Sequence, residues 1–298
     1  MTGLDDALAT FTSVRPRLFG IAYRMLGSAS EAEDIVQEAW LRWQAYDHST
    51  VEQPAAFLAT TTTRLAINHA QSARARRETY IGPWLPEPVD TSADPLLGAE
   101  RGEALGFAVL LLLENLSPTE RAAYVLREAF DYPYAQIAEV IQHTEASVRQ
   151  LVSRARKRLV AERKSRATAS QQRRLLTAFL EAAQSGDISS LERIFAEDVV
   201  SVTDGNGIAQ AARIPVGGRS RVAKFVAAFS SHFWTGASVD WIEANGQSAA
   251  RLVRDGAVYA MVTIEAGDTG VTRLLWFMSP EKMAAFNPSV TGSGAARS

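Results

Sequence analysis

The sequence predicts a multidomain chain in which two all-α domains precede an α+β domain. Residues 4–77 show apolar side chains at the three- and four-residue spacing of amphipathic helices, with no strand-like alternation. Residues 133–159 read as two short helices joined by a tight turn. After residue 170, helices give way to strand-like runs separated by Asn-Gly, Asp-Gly and Gly-Asp turns. We therefore expect domains at residues 1–80, 105–166 and 170–298, with a linker at residues 81–104.

The composition is ordinary for a globular protein and excludes several kinds of site. The 298 residues are 47% hydrophobic and 21% charged, with no cysteine and a formal net charge of −2. Without cysteine there are no disulfide bonds and no thiolate metal sites. The N-terminus has no basic-then-apolar leader, and no apolar run reaches the ~20 residues of a membrane span. We expect a cytoplasmic protein with no membrane contact, no metal and no cofactor.

Three helices are predicted in the first domain. The first ends at Gly27, Ser28 or Ser30 caps the second, and Pro54 stands at an early position of the third. The third helix ends in a basic segment. The buried side of the second helix is predicted to comprise Ile35, Ala39, Trp40 and Trp43.

The stretch from Pro133 to Leu159 has the pattern of a helix-turn-helix that enters a DNA major groove. Thr144 is a good N-cap for the second helix, and Glu145 places negative charge at the positive end of its dipole. Short or hydrogen-bonding side chains near its N-terminus suit base edges, and the basic ones further along suit phosphates. A solvated basic face is the alternative. The predicted buried stripe is Val148, Leu151, Val152, Ala155 and Leu159, and the predicted DNA contacts are Ser147, Arg149, Gln150, Arg154 and Lys157.

The predicted linker is rich in proline, with Pro83, Pro86, Pro88 and Pro95. Fully extended, it would reach roughly 80 Å at about 3.3 Å per residue. That length spans two turns of DNA at about 34 Å each. Adjacent Trp and Leu residues in its WLPEP segment are unusual for a passive spacer, and local docking on the helical domains is the alternative.

Two segments resemble the extracytoplasmic-function (ECF) group of bacterial RNA polymerase sigma factors. The run AEDIVQEAWLRW, followed by PAAFL and a basic helix end, resembles region 2 of that group. The run LSPTERAAYVLREAFDYPYAQIAEVIQHTEASVRQLVSRARKRL resembles region 4. They occur in the family's order, and the resemblance implies two partners, core RNA polymerase and promoter DNA.

The resemblance also assigns site residues. Asn68 and Gln71 replace an Asp and an Arg that are common in the family, and Leu151 replaces a usual polar residue. We therefore expect promoter preferences that differ from the common ones. The positions implied to bind polymerase are Asp34, Gln37, Glu38 and Leu41. Those implied to bind the promoter −10 element are Arg64, Asn68, His69, Gln71, Arg74, Arg76 and Arg77. The helix-turn-helix residues given above are implied to bind the −35 element.

Residues 170–298 resemble the SnoaL-like members of the NTF2-like superfamily, which have an α+β cone. With the WLPEP linker, the whole chain then resembles ECF sigma factors whose C-terminal extension tunes activity in cis. In that group the linker and loops of the extension face one another. Ile208 and Ala209 stand where a Lys usually follows, so we expect an altered contact. The implied regulatory positions are Trp84, Leu85, Pro86, Glu87, Pro88, Asp204, Gly205, Asn206, Gly207, Asn287 and Pro288.

The predicted function is that of an ECF sigma factor and not of an enzyme. A helix-turn-helix regulator with a ligand-sensing or enzymatic NTF2-like domain is the alternative, and it leaves the region 2 resemblance unexplained. For the extension, regulation in cis is favoured over ligand sensing, and both over catalysis. A general base could only be His232 with Asp198, Asp204 or Asp240, and no spacing singles these out. The side chains that would line a pocket, or equally a core, are Trp234, Trp241, Tyr259, Met261, Trp276 and Phe277.

Overall fold

A computed structural model describes residues 3–77, 80–91, 106–162 and 167–286. The chain forms two compact units. The helical unit comprises residues 1–79 and 86–164, and the α+β unit comprises residues 80–85 and 165–298. Both predicted helical domains therefore belong to one unit, and the linker divides between the units at Leu85 and Pro86.

The first part of the helical unit is built as the sequence predicts. Helix α1 spans Gly3–Leu26, α2 spans Ala29–Gln44, a 3-10 turn spans His48–Thr50 and α3 spans Pro54–Arg77. Gly27 ends α1 with a φ of 67°, and the Ser28 hydroxyl caps α2 by accepting from the Glu31 amide at 3.2 Å. Trp43 is buried and donates to the Ala7 carbonyl at 3.1 Å, which fixes α2 against α1.

The second part contains α4 (Phe107–Leu113), α5 (Pro118–Glu128), α6 (Tyr134–Ile141) and α7 (Glu145–Glu162). The run SPTE has the sequence pattern of a capping box, and Ser117 and Glu120 form that capping box at the start of α5. Gln142 makes the turn between α6 and α7 with a left-handed φ of 57°. The Thr144 hydroxyl accepts from the Ser147 amide at 3.2 Å, as an N-cap does.

These two helical parts share one hydrophobic core, whereas the sequence predicts a separate core for each. Arginine side chains explain part of the association. Arg121 donates to the carbonyl of Met25 in the last turn of α1 at 2.7 Å. Arg64 of α3 donates to the carbonyls of Glu139 and Val140, in the last turn of α6, at 2.9 Å each. Because the last carbonyls of a helix have no partner within it, each arginine completes the end of a helix in the other part.

The α+β unit carries helices before and among its strands. Gly186 ends its first helix with a φ of 69°. The run RSRVAKFVAAFSSHF predicts one helix over residues 219–233, but the structure divides it into two helices at Phe229. The helices are α8 (Ala169–Ser185), α9 (Ile188–Ile194), α10 (Arg219–Ala228), α11 (Ser230–Phe233) and α12 (Pro280–Met283), with a 3-10 turn at Ala284–Phe286. The strands are β1 (Phe195–Asp204), β2 (Val216–Gly217), β3 (Ser238–Ala244), β4 (Gln247–Arg254), β5 (Ala257–Gly267) and β6 (Gly270–Phe277).

The strands described between residues 167 and 286 form a sheet of order β2-β1-β6-β5-β4-β3. Strands β1 and β6 pair in parallel, and the other neighbours pair antiparallel. Positive φ angles at Asn245-Gly246 and Asp255-Gly256 form the two tight hairpins that the sequence predicts. Phe179 of α8, Val226 of α10 and Trp276 of β6 belong to one core cluster, so helices cover one face of the sheet.

Candidate polymerase-binding, DNA-binding and regulatory surfaces

The four predicted polymerase-binding residues lie on one face of α2. Their spacing of three and four residues places them side by side. Asp34 and Gln37 are exposed, and Glu38 accepts from Arg42 at 2.9 Å. Leu41 is 52% exposed, which is unusual for a large aliphatic side chain. The opposite face of α2 is buried, so this acidic and apolar face is open to a partner.

The predicted −10 residues lie along the second half of α3. Asn68 and Gln71 are exposed on the same side of the helix as Arg64. His69 is half-buried, with Nε2 at 3.3 Å from Glu31 Oε1. The Arg64 guanidinium donates to the carbonyls of Glu139 and Val140 in α6. Arg74, Arg76 and Arg77 belong to the last turns of α3, and their side chains lie outside the described ones.

Helix α7 presents the predicted −35 residues to solvent and buries the predicted stripe. Gln150, Arg154 and Lys157 are exposed, Ser147 is half-buried, and Leu151 is buried as predicted. Arg149 pairs with Glu145 and lies over the Tyr134 ring at 5.3 Å. The stripe holds the helix, and its polar side remains accessible.

Glutamates of α5 pair with the basic side of α7, a feature that the sequence analysis missed. Glu120 lies 3.9 Å from Arg154 and 3.4 Å from Arg158, and Glu128 lies 2.7 Å from Arg156. Burial acts to raise the pKa of Glu120, but hydrogen bonds from Ser117 and the two arginines bring that pKa below its ordinary value. The arginine side chains are half or more exposed, so solvent weakens these pairs.

In the α+β unit, the Asp204 carboxylate binds the first residues of the linker. Asp204 is fully buried at the end of β1. Its Oδ1 accepts from the Tyr80 hydroxyl at 2.5 Å, and its Oδ2 accepts from the Leu85 amide at 2.7 Å and from Lys282 at 2.6 Å. Lys282 also donates to the Leu85 carbonyl and lies over the Trp84 ring at 4.5 Å. Burial and the Asp204 carboxylate raise the pKa of the Tyr80 phenol well above its usual range.

Glycines in the loop after Asp204 allow this approach. A Cβ on Gly205 would lie 2.2 Å from the Ala211 Cβ, which no side chain tolerates. Gly207 has a φ of 85°, and a Cβ there would lie 3.3 Å from the Ile81 side chain. Asn206 is exposed with a φ of 45°. The predicted loop thus meets the linker through Asp204 and Gly207, while Asn287 and Pro288 lie outside the described residues.

Lys282 contacts both Asp204 and the linker, and it is absent from the regulatory positions that the resemblance implies. It lies in α12, directly after β6, where Pro280 starts a short helix. The amides of Met278 and Ser279 donate to the Asp204 carbonyl at 2.7 and 3.1 Å, which brings α12 beside Asp204. No local pattern in the sequence marks it, since its partners Asp204 and Leu85 are 78 and 197 positions away.

In the helical unit, the Glu87 carboxylate binds the N-terminus of α2. Glu87 Oε2 accepts from the amides of Ala29 and Ser30 at 2.9 and 3.2 Å and from the Ser28 hydroxyl at 2.9 Å. The Glu87 amide donates to the Gly27 carbonyl at 2.7 Å, and its carbonyl accepts from the Tyr23 hydroxyl at 2.7 Å. Pro86 and Pro88 on either side are buried. The segment predicted as an extended spacer is therefore fixed here, because it supplies a carboxylate to a helix N-terminus.

The candidates for catalysis are dispersed. His232 is exposed and its ring contacts Phe229 at 5.5 Å, Asp240 pairs with Arg251 at 2.8 Å, and Asp204 is committed to the linker. Among the described residues, no group of three His, Asp or Glu side chains is placed to hold a metal ion. Nor is any helix in the described part long and apolar enough to cross a membrane.

Comparisons with known proteins match both helical segments. The sequence matches the families Sigma-70 region 2, over residues 10–76, and Sigma-70, region 4, over residues 106–159. It is 39% identical over 224 residues to the ECF RNA polymerase sigma factor SigJ of Mycobacterium tuberculosis, covering 74% of this chain and 72% of that protein. The probable ECF RNA polymerase sigma factor SigI of the same species is 33% identical over 208 residues, 68% of this chain and 72% of its own.

A solved structure matches the fold of almost the whole chain. The crystal structure of M. tuberculosis SigJ superposes with a TM-score of 0.75 at 32% sequence identity. The match covers 93% of this chain and 98% of that one, so it includes the α+β unit as well as the helical unit.

Proposed function

This chain belongs to the ECF group of RNA polymerase sigma factors and carries a C-terminal NTF2-like domain, and on that premise we propose how its surfaces act. A sigma factor is a transcription initiation factor and not an enzyme, and it works with core RNA polymerase on promoter DNA. The observation that carries this function is the presence of regions 2 and 4, in order, in one chain. Its place of action would be the cytoplasm, where the polymerase transcribes.

We assign polymerase binding to the exposed face of α2. Asp34, Gln37 and Glu38 supply negative charge and hydrogen-bond acceptors for a basic partner surface, and Leu41 supplies apolar area. Covering a half-exposed aliphatic side chain removes apolar surface from water, which contributes favourable free energy to binding. The buried opposite face keeps the helix rigid during docking.

Promoter binding is assigned to α3 and α7. The exposed side of α7 presents Gln150 for base edges and Arg154 and Lys157 for phosphates. Arg64 is exposed and donates to the carbonyls of Glu139 and Val140, and contact with DNA would compete with these hydrogen bonds. We infer that the shared helical core opens when polymerase and promoter bind, since the −10 and −35 surfaces must then separate.

The linker anchors support regulation in cis. Asp204 and Lys282 fix Leu85 in the α+β unit, and the α2 N-terminus fixes Glu87 in the helical unit. Helix α2 is also the helix assigned to polymerase. We propose that linker release and polymerase docking are coupled through this helix, so that the extension sets how readily the sigma domains engage.

Run-off transcription with core polymerase tests this assignment. Leu41→Glu should abolish both the promoter-specific transcript and binding to core polymerase, because it places a charge where the partner covers an apolar side chain. Leu8→Glu is the matched control, since Leu8 is 50% exposed on α1 and outside the predicted face. Equal losses from both variants would contradict the α2 assignment. A full chain that binds duplex DNA tightly but gives no specific transcript would contradict the promoter assignment.

A further inference from the structure

One arginine among the predicted −35 contacts has its side-chain direction set by its neighbours. Arg149 lies near the N-terminal end of α7, and its side chain is 60% exposed. Its Nη2 pairs with the Glu145 carboxylate one turn earlier, and its Cζ lies over the Tyr134 ring, 5.3 Å from the ring centroid. An exposed arginine is free to sample many rotamers, so two partners on one guanidinium restrict it to a preferred direction.

Of these two partners, Tyr134 is the one that lies outside α7. The Glu145 side chain is 43% exposed and belongs to the same helix as Arg149, so solvent and salt weaken that pair. Tyr134 is half-buried and packs against the core cluster of the helical unit. A guanidinium is attracted to the face of an aromatic ring. Tyr134 therefore ties Arg149 to helix α6.

The Tyr134 ring is itself held in place from two sides of the sequence. Tyr134 is the first residue of α6 and follows Pro133, whose φ is −61°. Arg127, in the last turn of α5, also lies over the ring, 4.9 Å from its centroid. The Arg127 guanidinium donates to the Tyr132 carbonyl at 3.0 Å, so it cannot move freely with the ring. The ring thus presents a fixed surface to Arg149.

We propose that Tyr134 is a positioning residue, which holds the Arg149 guanidinium in the direction needed to read one guanine of the −35 element. Arginine reads guanine by donating to O6 and N7 in the major groove. A guanidinium has five N–H groups and the Glu145 contact uses Nη2, so donors remain for the base. A restrained side chain also loses less conformational entropy when these bonds form. This inference rests on the proposed assignment of α7 to promoter DNA.

The competing role for Tyr134 is packing alone, because its side chain also contacts the helical core. Loss of packing lowers the folded fraction, and it therefore weakens binding to every duplex by the same factor. Loss of positioning lowers the discrimination at one base. The ratio of the affinities for two duplexes that differ at that base separates the two roles, because the folded fraction cancels.

The test uses the holoenzyme that the full chain forms with core RNA polymerase. Selection of a random-sequence duplex library on this holoenzyme gives the probe. Each guanine of the selected −35 sequence is then replaced singly by 7-deazaguanine, which lacks N7. We expect one guanine whose replacement weakens binding about tenfold, and Arg149→Ala should abolish that discrimination.

Variants at Tyr134 then measure the positioning. Tyr134→Leu should reduce the discrimination from about tenfold to about threefold, whereas Tyr134→Phe, which keeps the ring, should retain it. Tyr124→Leu is the matched control, because Tyr124 is another half-buried tyrosine that packs against the same core. It should leave the ratio unchanged even if it lowers the melting temperature of the helical unit.

Full discrimination by Tyr134→Leu, or an equal loss with Tyr124→Leu, would overturn the positioning role. Discrimination lost with Tyr134→Phe would assign the effect to the hydroxyl and overturn it as well. A selected sequence in which no guanine discriminates, or in which Arg149→Ala still discriminates, contradicts the inference but leaves promoter binding by the chain intact. If no sequence is selected at all, the proposed promoter binding fails, and the inference fails with it.

Discussion

Leu85 and Glu87 are two residues apart in the linker, and each is held by hydrogen bonds between a carboxylate and backbone N–H groups. The linker is the donor at Leu85 and the acceptor at Glu87. At Leu85 the linker supplies the peptide N–H, and the α+β unit supplies the carboxylate of Asp204. At Glu87 the linker supplies the carboxylate, and the helical unit supplies the peptide N–H groups of α2. Both contacts are charge-assisted hydrogen bonds to backbone.

Their surroundings differ more than their chemistry. Asp204 is fully buried and the Lys282 side chain is 11% exposed, so solvent and salt hardly screen the first anchor. Glu87 is half-buried at an exposed helix end, where salt weakens its interaction with the helix dipole. We therefore expect the linker to leave the helical unit more readily than the α+β unit.

The largest expected effect comes from breaking the Leu85 anchor. Asp204→Asn leaves Lys282 buried without its carboxylate, and removing one partner of a buried pair costs about 3–5 kcal/mol. Calorimetry of the full chain should show a lower melting temperature for the α+β unit. Asp204→Asn with Lys282→Met should recover part of that loss, because no buried charge then remains.

Asp240→Asn is the control for that experiment. Asp240 forms an ion pair with Arg251 at 2.8 Å, but the Asp240 side chain is 45% exposed. We expect a loss below about 1 kcal/mol there. If the two single variants destabilise the protein equally, burial does not distinguish the Leu85 anchor.

Glu87→Gln tests the second anchor and should have a smaller effect. The amide can still accept one hydrogen bond but loses the charge at the α2 N-terminus, so the helical unit should lose about 1 kcal/mol. The difference from the parent chain should shrink as salt rises from 0.05 to 0.5 M, measured by urea unfolding monitored by circular dichroism. Glu52→Gln, at an exposed position before α3, is the control. A salt-independent difference would show that the dipole interaction is not the cause.

Arg64→Ala extends the comparison to a cation that binds backbone carbonyls. Arg64 is exposed, and its loss should cost the helical unit about 1 kcal/mol. The last amides of α6 should then exchange several-fold faster, which hydrogen-exchange mass spectrometry can measure. Arg42→Ala is the matched control, because Arg42 donates to the Glu38 carboxylate of its own helix and not to a helix end. Unchanged α6 exchange would mean that Arg64 does not hold α3 to α6.

The features that the sequence predicts well are those set by neighbouring residues. The Ser117 capping box, the Asn245-Gly246 hairpin and the burial of Leu151 each depend on residues within a few positions. The contact of Asp204 with Leu85 joins residues 119 positions apart, and that of Lys282 with Leu85 joins residues 197 apart. Local patterns do not determine which distant carboxylate meets which amide. The family resemblance indicated the glycine loop and the linker, but not the lysine that joins them.

The smallest expected effect concerns Glu120, whose carboxylate both caps α5 and pairs with Arg154 and Arg158 of α7. The pKa of Glu120 is below its ordinary value in the folded protein, so the stability it contributes is present above the unfolded pKa, about 4.3, and is lost as pH falls through the folded pKa. Glu120→Gln should therefore lower stability at pH 7 and flatten its dependence on pH below about 4. Glu128→Gln removes the pair with Arg156 but no cap, and should change stability less.

Because Arg154 and Arg158 would leave Glu120 for phosphate, Glu120→Gln should also strengthen binding to a −35 duplex several-fold in fluorescence anisotropy at low salt. Unchanged affinity would mean that these arginines do not reach the phosphates, and the assignment of this side of α7 to DNA would then depend on Gln150 and Lys157 alone.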